Sequence, residues 1–458
     1  MKTLLVLLAA GCLFGQAKLP PYTKETLPNG AVIAMMPRSG VPLVHFRVLI
    51  KGGVESDPAD KAGLANVTAG LLRRGTKSRS AEQFAEELDF LGGTFQAAFD
   101  GPLGSATAIS SEFLSKDFDK GLDLLSDAVL HPAFTESEVH KELARRIDGA
   151  KAIKDNAQGS IGSYFRASFF GRAHPYGNPP DERSYSRIAS IDIREYHAKH
   201  YCGKNMLIVV TGDFDPSIAK AKLAQAFGGA PTVEAYTWKA VPPLARKGQL
   251  LLIDKPDATQ TYFQIAQPGI DMKNPDRTTL EIINTLFGGR FTSMLNDELR
   301  VNSGLTYGAA SQLEQNRLPG AILISTYTKT DTTTQAIDLA LDVLRRLNEK
   351  GISAQQLASA KAYVKGTYPT RRLETMDQLA ALIGEIELYG LGRDEVDGYF
   401  ARIDNITLDQ ANAAIRKYYK TGDLTFVVLG AADKIREQMK KYDPHATEVS
   451  IKTTGWGN

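Results

Sequence analysis

Cysteine is nearly missing from this sequence: Cys12 and Cys202 are the two in 458 residues. A disulfide-scaffolded fold is excluded, and the chain must be held by an apolar core. Long apolar runs are absent as well. The longest early one, Leu4–Ala10, is far below the ~20 residues that a bilayer-spanning helix needs. Charge of one sign is not accumulated either. The 54 Lys and Arg against 52 Asp and Glu leave a net +2, with no basic stripe of the kind that nucleic-acid binding uses. Histidine is scarce, at seven residues. His197 and His200 stand three apart near Cys202 and could share a metal ion on a helix, but structural roles are the commoner fate of such residues. Cys202 itself reads as a small buried hydrophobe sooner than as a reactive thiol.

What is present is ordinary globular composition, 43% hydrophobic and 23% charged, with room for two or more domains at about 100–200 residues each. Lys2, the short apolar run, and then Gly15 and Ala17 have the layout of a secretory signal peptide over residues 1–17. Cleavage after Ala17 is one exit. Lipid attachment at Cys12, within Ala9-Ala10-Gly11-Cys12, is the other. Both predict an exported, periplasmic chain.

The remainder divides at a Gly- and Pro-rich stretch, Gly228-Gly229-Ala230-Pro231 through Pro242-Pro243. The predicted organisation is one domain over 18–229, a linker over 230–249, a second domain over 250–445 and a tail over 446–458. The two sides share a pattern. Val41–Ile50 alternates like a half-buried strand; helical spacing follows at Leu64, Val67, Leu71 and Leu72, then a helix near Ala81–Leu91. A hairpin turning at Gly101-Pro102 comes next, and helices over Lys116–Leu130 and Glu136–Lys154. On the second side Thr261–Gln267 alternates, and Leu280, Ile283, Leu286 and Phe287 share a helical face. A hairpin over Thr306–Thr328 bends at Pro319-Gly320, and helices cover Thr333–Leu347 and Ala354–Gly366. Strand, helix, hairpin, helix occurring twice predicts a duplicated α+β unit, each copy a largely antiparallel sheet packed with helices.

Gly63-Leu64-Ala65-Asn66-Val67-Thr68-Ala69-Gly70-Leu71-Leu72-Arg73-Arg74-Gly75-Thr76 resembles the zinc-binding helix of the pitrilysin/insulinase peptidases. There, the same Gly-Leu-Ala start and Gly-Thr finish bracket a His-x-x-Glu-His motif. Two imidazoles at i and i+4 hold zinc, and the intervening Glu takes a proton from the metal-bound water. In this chain the three positions read Asn66, Ala69 and Gly70. The family's third ligand, a Glu on a later helix, matches Gly149, with Asp148 adjacent. The resemblance continues through His174-Pro175-Tyr176-Gly177, Tyr196–Met206 and Phe287-Gly288-Gly289-Arg290, covering nearly all of the chain. It implies a clam-shell of two related halves joined by the linker, with no metal and no cofactor held by this chain.

The resemblance also singles out Arg300-Val301-Asn302-Ser303-Gly304-Leu305-Thr306-Tyr307. In the family an Arg and a Tyr at this spacing come from the second half, bind the peptide and steady the tetrahedral intermediate. A forked, permanently charged guanidinium and a phenol donor suit that role. Bacterial heterodimers of the family divide the labour, one subunit supplying zinc and the other Arg and Tyr. The implied function is therefore a subunit without zinc, lending Arg300 and Tyr307 in trans to a zinc-bearing partner of the same family. The rival is a catalytically inert peptide-binding or scaffold protein of the same fold.

Overall fold

The computed structural model describes residues 17–99, 104–241, 244 and 248–457. The expected signal segment up to Gln16, Cys12 with it, lies outside the described residues, as do Gly101-Pro102 and Pro242-Pro243. No helix among the described residues is long and apolar enough to cross a membrane.

Two sheets organise the chain. The first contains β1 (Thr23–Thr26), β2 (Val32–Pro37), β3 (Leu43–Lys51), β4 (Thr94–Phe99), β5 (Ala106–Leu114) and β6 (Met206–Gly212), in the order β1-β2-β6-β3-β5-β4. The second contains β7 (Leu250–Asp254), β8 (Gln260–Pro268), β9 (Ile270–Asp271), β10 (Ala309–Asn316), β11 (Pro319–Lys329), β12 (Thr425–Gly430) and β13 (Thr447–Ser450), in the order β13-β7-β12-β8-β11-β10-β9. The run β2-β6-β3-β5-β4 matches β7-β12-β8-β11-β10 strand for strand. In each, the first pair is parallel and the next three are antiparallel. Shared order and shared sense make the chain two related α+β halves.

Both faces of each sheet are buried, which is why the central strands are apolar almost throughout. Side chains alternate across the pleat. Val44, Phe46, Val48 and Ile50 of β3 enter the first half's own helical core, with Ile208 and Val210 of β6. Leu49, Leu207 and Val209 point the other way. That second face is covered by a helix from the other half, Met376–Tyr389, through Leu379, Leu382, Ile383 and Ile386 at one-face spacing. The helix comes so close that a Cβ on Gly384 would lie 2.7 Å from Leu49 Cδ1.

The exchange is reciprocal. The first half carries α1 (Leu64–Leu71), α2 (Ala81–Phe90), α3 (Phe118–Leu130), α4 (Glu136–Ala152) and α5 (Ala157–Phe170). Of these, α5 leaves its own half and lays Ile161, Tyr164 and Phe165 on Leu251, Ile253, Val427 and Leu429 of the second sheet. The halves are thus joined by swapped helices as well as by the linker.

The linker is itself pinned. Tyr236 Oη donates to the Glu55 carbonyl (2.8 Å), and Trp238 lies under the Arg317 guanidinium at 4.7 Å. Arg317, from the bend between β10 and β11, donates through Nε to both oxygens of the buried Glu55 carboxylate (3.0 and 2.9 Å) and also through Nη2. Ser105 Oγ donates to the same carboxylate at 2.6 Å. First half, linker and second half therefore meet at one ion pair.

Two expectations need correction. Residues 446–458 are no tail. β13 pairs with β7, and Trp456 is buried edge-on to Tyr164 while its Nε1 donates to the Pro180 carbonyl. The second hairpin bends at Arg317-Leu318 and not at Pro319-Gly320, since Pro319 already opposes Gln315 as the first residue of β11. Proline needs no ladder N–H at a strand's first position.

Candidate functional site

Helix α1 starts where Gly63 takes a left-handed φ of 94° and Asp57 accepts the N–H groups of Gly63 (2.7 Å) and Ala65 (2.8 Å). Leu64, Val67 and Leu71 then face the core, and Ala69 is fully buried. Asn66 and Gly70, one turn apart, stay half-exposed. The structure brings Gly70 against α4. A Cβ there would lie 2.9 Å from Arg146 Nη2 and 3.0 Å from Glu142 Oε1. An imidazole at this position would therefore collide with a guanidinium that is already held in place.

Glu142 does the holding. It is 3% exposed and accepts Arg146 Nε at 2.7 Å and Arg145 Nη2 at 2.6 Å. Burial would push its carboxyl up, but the bonds from Arg145 and Arg146 hold it below the usual carboxylate range. Gly149, the position matched to a third ligand, is exposed two turns further along α4, with nothing within 4 Å of its Cβ position. Asn66, Ala69, Gly70 and Gly149 thus offer neither imidazole nor carboxylate. Beside them stands fixed positive charge. The sequence reading passed over Glu142, Arg145 and Arg146, although Glu with Arg at i+3 and i+4 is a recognisable helix ion-pair spacing.

Arg300 and Tyr307 sit elsewhere. Arg300 lies in a wide π-type turn over Asp297–Asn302, and Gly304 with φ 65° lets the chain leave it. The Arg300 guanidinium stacks 4.5 Å from the centre of the Phe291 ring, and among the described residues it makes no ion pair. Tyr307 is 82% exposed, so it is not a packed strand tyrosine. The cleft beside Gly70, about 390 Å³, is lined by first-half residues alone. Neither Arg300 nor Tyr307 lines it. Phe291 and Val301 add exposed apolar surface near that pair.

His197 and His200 are packed as structural residues. His197 Nε2 bonds the Val129 carbonyl at 2.8 Å and its ring stacks on Tyr201; His200 stacks on Tyr196. Among the described residues no group of three His, Cys, Asp or Glu is placed to hold a metal ion. Cys202 is fully buried and burial pushes its thiol up, away from reactivity.

Burial lowers His45, His174, His197 and His200 each to about 4. The unfolded chain, with rings near 6.5, binds more protons than the native one between about pH 6.5 and 4. Stability is therefore expected to fall as pH drops through that window, by at most about 3 kcal/mol per ring. Asp57, raised to about 7 by burial, acts in the opposite direction, as do Glu112, Glu281 and Glu314, raised by burial. The carboxyls of Asp127, Glu142 and Glu182, pushed up by burial but held down by their hydrogen bonds, add to the fall. Thermal midpoints measured from pH 7 to pH 4.5 should fall, and His200→Phe, which keeps the stack on Tyr196, should shallow the slope. A flat or rising profile contradicts this assignment.

Two family models cover most of the chain. The model described as Insulinase (Peptidase family M16) matches residues 33–174, and the one described as Peptidase M16 inactive domain matches residues 188–364. The chain belongs to the insulinase family, peptidase family M16. Among curated relatives of this M16 chain is an uncharacterized zinc protease of Mycobacterium leprae, 25% identical over 85% of this chain and 87% of that one. A non-peptidase homolog of Helicobacter pylori is 23% identical over 86% and 90%. Among solved structures, a peptidase M16 inactive domain from Pseudomonas fluorescens superposes with a TM-score of 0.83 at 23% identity, covering 90% of this chain and 98% of that one. A protease from Helicobacter pylori gives 0.78 at 20% identity, over 90% and 100%. These likenesses establish the M16 fold.

Proposed function

We propose that this M16 chain is the metal-free subunit of an exported two-subunit peptidase, with zinc supplied by a partner of the same family. It would have no peptidase activity alone. The observation that carries the reading is the unspent state of Arg300 and Tyr307. Tyr307 is exposed and Arg300 half-exposed, neither lines the cleft beside Gly70, and Phe291 and Val301 are exposed near them. A phenol 82% exposed and a guanidinium without a carboxylate are costly to explain as packing and are suited to completing another subunit's site. There the guanidinium would bind peptide carbonyls, and the phenol would donate to the developing oxyanion.

The experiment is reconstitution with a zinc-bearing M16 relative. The chain alone should be inert and the mixture should cleave peptides in a chelator-sensitive manner. Tyr307→Phe should lower turnover about a hundredfold, the cost typical of one lost oxyanion donor, and Arg300→Ala by at least as much. Assembly with unchanged turnover in both variants would instead favour the inert scaffold reading, which the arginine-filled cleft also supports.

A further inference from the structure

We propose that the cleft beside Gly70 binds a peptide carboxylate. The position where the family pattern would hold a cation now carries several. Arg73, Arg74, Arg145 and Arg146 line the cleft together with Phe95 and Ala97 of β4, and no Asp or Glu lines it. Glu142 lies buried behind the guanidinium groups and uses the Nε of Arg146 and the Nε and Nη2 of Arg145. Arg73 Nη1 makes a long bond to the Phe95 carbonyl, 3.3 Å. Arg74 is exposed and makes no ion pair among the described residues.

The equivalent cleft of the second half shows the contrast. It is larger, about 610 Å³, and three of the four arginines lining it, all but Arg371, are matched. Arg277 pairs with Glu395, Arg372 with Glu385 and Arg166 with Glu314. Acids therefore balance most of the charge in that cleft, whereas no Asp or Glu lines the first and its forked donors are in excess.

The occupant follows from the two walls. Guanidinium forks recognise a planar carboxylate through paired N–H bonds. The other wall is β4, the last strand of its sheet, whose outer edge can bond an extended backbone. An extended peptide presenting a carboxylate satisfies both, the carboxylate coming from its C-terminus or from an Asp or Glu side chain. The inference is independent of the two-subunit reading, since binding is measured on this chain without a partner.

The test is fluorescence anisotropy with three labelled decapeptides of Ala and Ser. One ends in a free carboxylate, one is amidated with a single internal Glu, and one is amidated without acids. The first or the second should bind at least about tenfold tighter than the third, and which one does so assigns the source of the carboxylate. Arg74→Gln combined with Arg145→Gln should weaken that binding by at least about tenfold, with circular dichroism unchanged. Binding should also weaken on raising salt from about 50 to 200 mM, where exposed ionic contacts are screened. Equal binding of the acid-free peptide, no binding of any probe by the unmutated chain, or an unaffected double variant each overturns the proposal.

Discussion

Arg317→Ala is expected to destabilise the chain by about 3–5 kcal/mol, the usual cost of removing one partner of a buried ion pair. Glu55 is 6% exposed and would keep its carboxylate without the guanidinium that neutralises it. Two neutral hydroxyls, Ser105 Oγ at 2.6 Å and Tyr176 Oη at 3.5 Å, cannot compensate a full charge. The same substitution uncovers Trp238, on whose ring Arg317 rests, so packing is lost along with charge. Lysine should be a poor replacement, because a point charge can neither grip both oxygens nor lie flat on an indole. Replacing both partners together, Arg317→Met with Glu55→Gln, should cost far less, since no charge is then left buried alone. Urea titration of the four proteins decides it. A single-variant loss below about 1 kcal/mol would mean that the pair is a spectator and that the halves are held by the helices alone.

Reinstating the ligands is expected to fail while Arg146 remains. A chain carrying Asn66→His, Ala69→Glu, Gly70→His and Gly149→Glu has the full ligand set of the family pattern, yet should hold no stoichiometric zinc. Arg146 Nη2 already stands 2.9 Å from the Gly70 Cβ position, and Glu142 keeps it there. Two unit charges at ~4 Å repel by about 4 kcal/mol at an effective dielectric near 20, and a divalent ion doubles that. Adding Arg146→Ala should raise zinc affinity by at least about a thousandfold, the equivalent of about 4 kcal/mol. Arg145 would remain to neutralise Glu142. Elemental analysis after gel filtration gives the readout. Tight zinc binding by the four-residue variant with Arg146 in place would show that the guanidinium swings aside freely and is no obstacle.

Much of the fold was legible from period. His45 and Arg47 interrupt the apolar run of β3, β4 and the start of β10 alternate between buried and exposed, and the long helices carry apolar stripes. β6 and β12 were harder. Every residue of Met206–Gly212 and of Thr425–Gly430 is buried, and a strand covered on both faces has no alternation to read. The swapped helices were hidden for a different reason. Leu379, Leu382, Ile383 and Ile386 announce an apolar face, but a stripe does not name the sheet that it will cover. At the site, Asn66, Ala69, Gly70 and Gly149 could be placed by a local pattern. What now occupies the space could not, since Arg146 approaches Gly70 only through the packing of α4 on α1. The Arg317–Glu55 pair joins residues 262 apart and has no local signature.

The helix exchange constrains how the chain can come into being. When synthesis has delivered β6, the outer face of the first sheet still shows Leu49, Leu207 and Val209 to water, and their cover is encoded about 170 residues downstream. The second sheet has the reverse arrangement: its borrowed helix α5 precedes all of its strands, although β12 and β13 still follow Met376–Tyr389. The N-terminal part is therefore born first but cannot mature until most of the chain exists. During that interval it is an adhesive, half-finished object, and a product that stops short of Met376 can never complete it.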